Sequence, residues 1–263
     1  MVDRTAGEMG FCRGGAMARV ASAGTHFGEE SVLVGKGGSG TIFFEGCNLH
    51  CVYCQNCLIT QGNKGAEMTP ARLAEVMCEL AASGCVNINL VTPTHFAPHI
   101  LEAIPIARSH GLKVPIIYSS GGYELVEMLA LLEGHIQIYA PDFKYASAEA
   151  GQKYAKAIDY PGVARSALAE MFRQVGPLKV NKQGLATSGV LVRHLVLPMD
   201  YGDVDKVVDI VAQTAPGAGI HIMDQYRPAF HAADYPELLV MPSPEKAPRA
   251  RKRAEKAGLR VVS

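Results

Sequence analysis

The sequence predicts an α/β protein in which a parallel sheet is wrapped by helices into a partial (β/α)6 barrel. Three observations predict it. Short apolar runs alternate with longer amphipathic runs along most of the chain. The short runs are nearly continuous in apolar character, which means burial on both faces, as in a parallel sheet covered by helices. The polar motifs fall just after the short runs, at the C-terminal rim where such folds keep their sites. A chain of 263 residues suffices for one such domain, and 27 glycines suit tight βα turns.

The elements follow in order. Thr41–Glu45 (TIFFE) is a short apolar strand entered from the glycine-rich turn Gly35–Gly40. Thr69 and Pro70 give an N-cap followed by proline at the first helical position, and Leu73, Val76, Met77 and Leu80 mark the buried face. Gly84 closes that helix, and Val86–Val91 is the second strand. A helix over 97–109 precedes the strand Val114–Tyr118, and one over 123–132 precedes Ile136–Ala140. Helices over 146–157 and 163–175 lead to the long strand Val190–Leu197. The helix 203–214 leads to the sixth strand, Gly219–Met223.

The charge balance excludes some function classes. With 25 basic and 25 acidic residues, nothing in it implies nucleic acid or an anionic membrane as partner. No apolar run reaches the length a bilayer requires, and Arg19 interrupts the small-residue stretch 13–23 that ends like a signal-peptide cleavage site, so a soluble, cytoplasmic protein is expected. Lys246–Arg260 holds seven cations and reads as a solvated helix face. Of seven cysteines, four crowd into Cys47–Cys57, which suits a metal site in a reducing compartment better than a disulfide framework.

Cys47, Cys51 and Cys54 form C-x3-C-x2-C, compact enough to wrap one cubic cluster from a single loop. Soft thiolates select zinc, copper(I) or iron–sulfur clusters. A 4Fe–4S cluster held by three thiolates leaves one iron open for a ligand, which is the logic of a catalytic site. A structural zinc site would draw Cys or His pairs from separate segments, and there is no CxxC outside this one loop. Cys51, Cys54 and Cys57 also open like a ferredoxin run, but Gln61 and Gly62 stand where its Cys-Pro should follow. Cys57 is then a bystander, Cys78 and Cys85 are packing residues, and Cys12 has no assigned role.

The stretch CNLHCVYC, with Tyr53 before the third cysteine, resembles the signature of the radical S-adenosylmethionine superfamily. The segments GEMGFCR, HFGEE, GSGTIFFEGCNLHCVYCQN, NLVTPTHF, APDFKY, VRHLVLP and QYRP together resemble relatives of pyruvate formate-lyase activating enzyme. The resemblance implies a TIM-like core over residues 38–263, with 1–37 as an extension packed on it. It also implies a 4Fe–4S cluster and S-adenosylmethionine as cofactors. One-electron cleavage of the sulfonium would give methionine and a 5′-deoxyadenosyl radical that abstracts hydrogen from a substrate. The partners implied are a low-potential electron donor, flavodoxin or ferredoxin, and a glycyl-radical enzyme as protein substrate. A small molecule or peptide as substrate stays open, as does an iron–sulfur electron carrier with no substrate.

The remaining candidates follow strands at the same rim, except Arg193, which lies within the fifth strand. Thr92 and Thr94 replace the Gly-Gly-Glu-Pro stretch that holds the methionine amino group in the superfamily; their hydroxyls either take that role or simply form a turn around Pro93. Ser119 and Ser120 are placed to bond the ribose or the methionine carboxylate. Asp142 and Lys144 match the Asp-x-Lys of the activating enzymes, whereas Ser119 stands where their cation-binding acid would be. Arg193 interrupts an apolar strand and must find an anion, the cofactor carboxylate or a neighbouring acid, and a buried salt bridge to Asp142 is compatible with either. Gln225 and Tyr226 are candidates to touch adenine or substrate. His194 is a core histidine; His95, His99 and His221 are ordinary loop or strand residues; and His26 with Glu29 and Glu30 forms a polar turn.

Overall fold

The computed structural model describes residues 2–263. Among the described residues ten strands are formed: β1 (Ala18–His26), β2 (Ser39–Phe44), β3 (Ala66–Met68), β4 (Ile88–Val91), β5 (Ile116–Ser120), β6 (Ile138–Pro141), β7 (Lys179–Val180), β8 (Ala186–Leu195), β9 (Gly219–Met223) and β10 (Arg260–Val261). They make one sheet in the order β10-β9-β8-β6-β5-β4-β2-β1-β3, with β7 against β8. The six expected strands are β2, β4, β5, β6, β8 and β9, and each pairs in parallel with the next. The α/β class and the parallel sheet hold. The barrel is partial, because β10 and β3 are both edges and the sheet does not close.

Helices cover the outer face. Two are single turns, α1 (Ser31–Val34) and α2 (Cys57–Thr60). The others are α3 (Pro70–Ala82), α4 (Ala97–Ser109), α5 (Val126–Leu131), α6 (Ala148–Ala155), α7 (Tyr160–Val175), α8 (Val204–Thr214) and α9 (Lys246–Lys256). Helix α3 starts as its sequence dictates. The Thr69 side chain accepts from the Arg72 N–H at 3.2 Å, Pro70 needs no partner, and Leu73, Ala74, Val76, Met77 and Leu80 are buried. Among the described residues no helix is long and apolar enough to cross a membrane.

The strand β1 was not expected. ARVASAGTH holds one large apolar residue, Val20, so its strand character comes from antiparallel pairing with β2 rather than from its own pattern. The pairing joins the N-terminal segment to the main sheet. Beyond β1 the chain turns back, and Leu33 joins Ile117, Ile138, Ala140 and Leu191 in a small second core. Asn87, on the approach to β4, donates to the Leu33 carbonyl at 2.5 Å and accepts from Ser39 at 2.6 Å, pinning this return. The segment that carries Glu29 and Glu30 is thereby held against the strands of the barrel.

The basic tail keeps the solvated face expected of it, with Arg249, Lys252, Arg253 and Lys256 exposed, and most of its cations find acidic partners. Arg249 pairs with Asp205, Arg253 with Asp209, Arg251 with Asp224, and Lys246 with Asp200 and Asp205. Ala247, Ala250 and Ala254 are buried between these cations. The acids facing α9 come from distant parts of the chain, so a local charge count missed them.

Candidate active site

A cavity of about 370 Å³ opens at the C-terminal ends of the parallel strands. Its wall carries Cys47, Cys51 and Cys54 from the loop after β2, Thr92 after β4, Ser119 and Ser120 of β5, Asp142 and Lys144 after β6, Arg193 of β8, His221 of β9 and Gln225 beyond β9. Tyr53 reaches it too, with Glu29 and Glu30 from the N-terminal return. Polar groups from distant parts of the sequence therefore meet in one hollow.

The cysteine loop is held by backbone geometry. Gly46 has φ +85°, and a Cβ there would meet the Cys12 carbonyl oxygen at 2.3 Å, so only glycine fits this approach. The Cys47 N–H then donates to that same carbonyl at 3.1 Å. Just upstream, the Glu45 carboxylate accepts from Lys64 and Gly65 N–H and pairs with Arg19, while His95 bonds the Glu45 carbonyl at 2.7 Å. Burial holds the His95 pKa down at about 4, so the ring is a neutral strut. Cys12, Arg19, Glu45 and His95 thus brace the loop, and single positions read one at a time gave no signal of it.

The donor set fits an iron–sulfur cluster. Cys47, Cys51 and Cys54 line one cavity and none is in a disulfide. Burial, reinforced by Cys51, pushes the Cys47 thiol up to about 12; burial also raises Cys51, against the pull of Lys144. Thiolates in this setting need facing positive charge, which iron supplies. The Leu49 N–H already points at Cys47 Sγ, 3.4 Å away, as backbone donors do around cluster sulfurs. Among the described residues no three His, Cys, Asp or Glu side chains converge on one ion-sized point. A cubane makes a different demand, since each thiolate takes its own iron. Cys57 begins α2 and is not part of the cavity wall.

Tyr53 packs edge-on against Tyr145 and Tyr226, and its hydroxyl shares a 2.6 Å hydrogen bond with that of Tyr145. Asp142 and Lys144 form an ion pair at 2.5 Å. Burial opposes the ammonium charge, but the Asp142 carboxylate outweighs it and raises the Lys144 pKa. The loop that carries this pair is fixed by Tyr160, whose hydroxyl lies 3.0 Å from the carbonyls of both Gly121 and Asp142 and accepts from Lys144 N–H at 2.8 Å. Ser119 donates to Asn89 at 2.7 Å, and Ser120 accepts from Gly122 N–H at 3.2 Å. Thr92 adopts φ +57°, a conformation costly for a β-branched residue.

Four expectations need correction. Thr94 is not part of the cavity wall; its hydroxyl donates to the buried Glu124 at 2.6 Å, a carboxyl that burial lifts to about 7. Arg193 pairs not with Asp142, which Lys144 takes, but with Glu29 at 2.5 Å and Glu30 at 2.6 Å. The supposed polar turn at His26, Glu29 and Glu30 is therefore split. His26 stays exposed, while Glu30 is only 4% exposed. Tyr226 is 1% exposed and donates to the Leu238 carbonyl, which leaves Gln225 as the neighbour at the cavity. His194 is a core histidine as expected, bonded to the Phe143 carbonyl at 2.6 Å.

A model of the radical SAM superfamily matches residues 41–209. An uncharacterised protein of Methanocaldococcus jannaschii is 30% identical over 97% of this chain and 72% of its own. A radical SAM methyltransferase from Sphaerobacter thermophilus aligns with TM-score 0.57 at 16% identity, over 84% of this chain and 64% of that one. SuiB of Streptococcus suis, solved bound to precursor peptide SuiA, aligns with TM-score 0.54 at 9% identity, over 82% of this chain and 46% of that one. The chain thus spans less than two thirds of either of these two structures, and they speak for the fold alone. By the family match, which covers more than half of it, this chain belongs to the radical SAM superfamily, whose members work with a 4Fe–4S cluster and S-adenosylmethionine.

Proposed function

We propose that this protein cleaves S-adenosylmethionine reductively and uses the product to take a hydrogen atom from a substrate. The observation that carries it is the meeting of Cys47, Cys51 and Cys54 with the Asp142–Lys144 pair in one cavity. When bound, the two cofactors supply a 5′-deoxyadenosyl radical by one-electron cleavage of the sulfonium. The chain's own part is to bind and orient. The three thiols hold the cluster, and Lys144, kept charged by Asp142, offers a cation to the methionine carboxylate. Ser119, Ser120, Thr92 and Gln225 supply hydroxyl and amide groups around the rest. Reduced, anaerobically reconstituted protein should release 5′-deoxyadenosine and methionine slowly even without substrate. A fully loaded, reduced protein that leaves S-adenosylmethionine intact, or yields methylthioadenosine instead, contradicts this function.

Lys144 gives a second measurement. A charged hydrogen bond contributes about 1.5–3 kcal/mol, so losing it should weaken S-adenosylmethionine binding about ten- to a hundredfold. Lys144→Met should load iron normally and show that loss by anaerobic titration calorimetry. Unchanged affinity would make the Asp142–Lys144 pair a structural one.

On the substrate, the resemblance to relatives of pyruvate formate-lyase activating enzyme suggests a glycyl-radical enzyme, activated by hydrogen abstraction from a backbone glycine, with flavodoxin or ferredoxin as electron donor in the cytoplasm. A second reading, chemistry on a small molecule or peptide side chain, is favoured by one observation. The cavity holds a carboxylate-oriented histidine, His221 with Glu30, which abstraction from a glycine Cα does not call for.

A further inference from the structure

His221 stands opposite Arg193 in the parallel register of β9 and β8, so both side chains leave the same face of the sheet. Between them lies Glu30. Arg193 donates to both Glu30 oxygens, at 2.8 and 2.6 Å, and also to Glu29. Burial works against the Glu30 charge, but Arg193 and the hydrogen bonds from His221 and Arg193 overcome it and hold the carboxyl well below the usual carboxylate range. An ionised carboxylate only accepts, so the 2.8 Å contact between His221 Nδ1 and Glu30 fixes the proton on Nδ1. The other ring nitrogen, Nε2, is then the one that can accept a proton. That nitrogen has no partner among the described residues, and the ring lines the cavity.

An imidazole locked in one tautomer by a buried carboxylate, with its other nitrogen open to a reaction cavity, is the arrangement of a general base. We propose that His221 is a proton-accepting catalytic residue for the substrate, with Glu30 its positioning residue and Arg193 the group that keeps Glu30 ionised. This rests on the radical function and on the second reading of its substrate. In the step, an O–H or N–H bond of the substrate breaks and its electron pair stays on the heteroatom. The proton bonds to Nε2, and the imidazolium formed is balanced by Glu30. No electron is transferred. The step has a use in this protein, because negative charge developing on a hydroxyl oxygen, or the lone pair freed when an ammonium becomes a neutral amine, weakens the C–H bond on the carbon beside it toward hydrogen-atom removal. The substrate class is therefore a compound or peptide side chain with a hydroxyl or amine beside the carbon that loses hydrogen.

The test uses the anaerobically reconstituted holoenzyme, with diethyl pyrocarbonate as the probe, because it acylates an imidazole nitrogen that has a free lone pair. Sites are mapped by mass spectrometry, with exposed His110 as the reactive reference and buried His194 as the unreactive one. His221 should be acylated both with and without S-adenosylmethionine. In Glu30→Gln, Arg193 claims the amide oxygen and the amide N–H faces Nδ1, which moves the ring proton to Nε2. Acylation of His221 should then slow about tenfold, the change in population that about 1.4 kcal/mol of tautomer preference produces. Glu30→Asp, which keeps the charge, should recover part of the rate and serves if Glu30→Gln does not fold. An unreactive His221, equal rates in wild type and Glu30→Gln, or protection by S-adenosylmethionine each overturns the proposal, the last by assigning the dyad to the cofactor. Release of 5′-deoxyadenosine by the wild type, measured alongside, separates this failure from failure of the radical function.

Discussion

Cys47→Ala, Cys51→Ala and Cys54→Ala should each abolish cluster binding, whereas Cys57→Ala should keep it. The wild type, reconstituted anaerobically, is expected to hold about four iron per chain. A cubane anchored by three thiolates has no protein ligand to spare, so removing one leaves two irons open to solvent. The local structure adds no replacement. Cys57 begins α2 outside the cavity wall, and Cys12 is buried beneath the loop with Arg4 on its sulfur at 3.0 Å. Iron analysis with visible absorption checks the set. Loss of the cluster in Cys57→Ala together with retention in Cys47→Ala would move the site to the ferredoxin-like register of Cys51, Cys54 and Cys57.

The parallel sheet and the cysteine loop were legible in the sequence because both rest on local signals. A run such as INLV or IIYSS declares a buried strand by itself, and C-x3-C-x2-C declares a thiolate loop by itself. Helix bounds were met at 97–109, whereas 123–132 and 146–157 overran Val126–Leu131 and Ala148–Ala155. What stayed hidden is pairwise. ARVASAGTH becomes a strand only because β2 offers it an edge, and Arg193 finds its anion 163 residues away in Glu30. That an anion was needed was legible, since a charge inside VLVRHLVLP is too costly alone. Which anion was not, because Asp142 was equally reasonable until Lys144 was seen to hold it. Tyr160 was missed for a related reason: its hydroxyl serves the backbone of two loops, and nothing near it in the chain announces that. His221 looked ordinary because its meaning depends on Glu30, from the other end of the chain.

Arg193→Met should cost the protein more stability than any single change at the rim of the cavity. The guanidinium side chain is 13% exposed and satisfies two carboxylates, one of them 3% exposed. Removing it leaves Glu29 and Glu30 side by side without a cation, and breaking a buried pair from one side costs about 3–5 kcal/mol. For a chain of this size each kcal/mol moves the melting temperature roughly 2–4 °C, so a fall of about 6–20 °C is expected. Acid should narrow the gap. The Glu30 pKa is depressed in the folded protein, so its contribution is full above the ordinary carboxylate value, about 4.3, and is lost as pH falls from there toward the folded value. Wild type and Arg193→Met should therefore differ most near neutrality and converge below about pH 4. Adding Glu29→Gln and Glu30→Gln to Arg193→Met should recover part of the loss, since the uncompensated charges then disappear with their partner. Melts followed by circular dichroism at neutral and acid pH check all three points. A drop of the same size at every pH, with no recovery in the triple variant, would mean that Arg193 stabilises through packing of its aliphatic stem and not through Glu29 and Glu30.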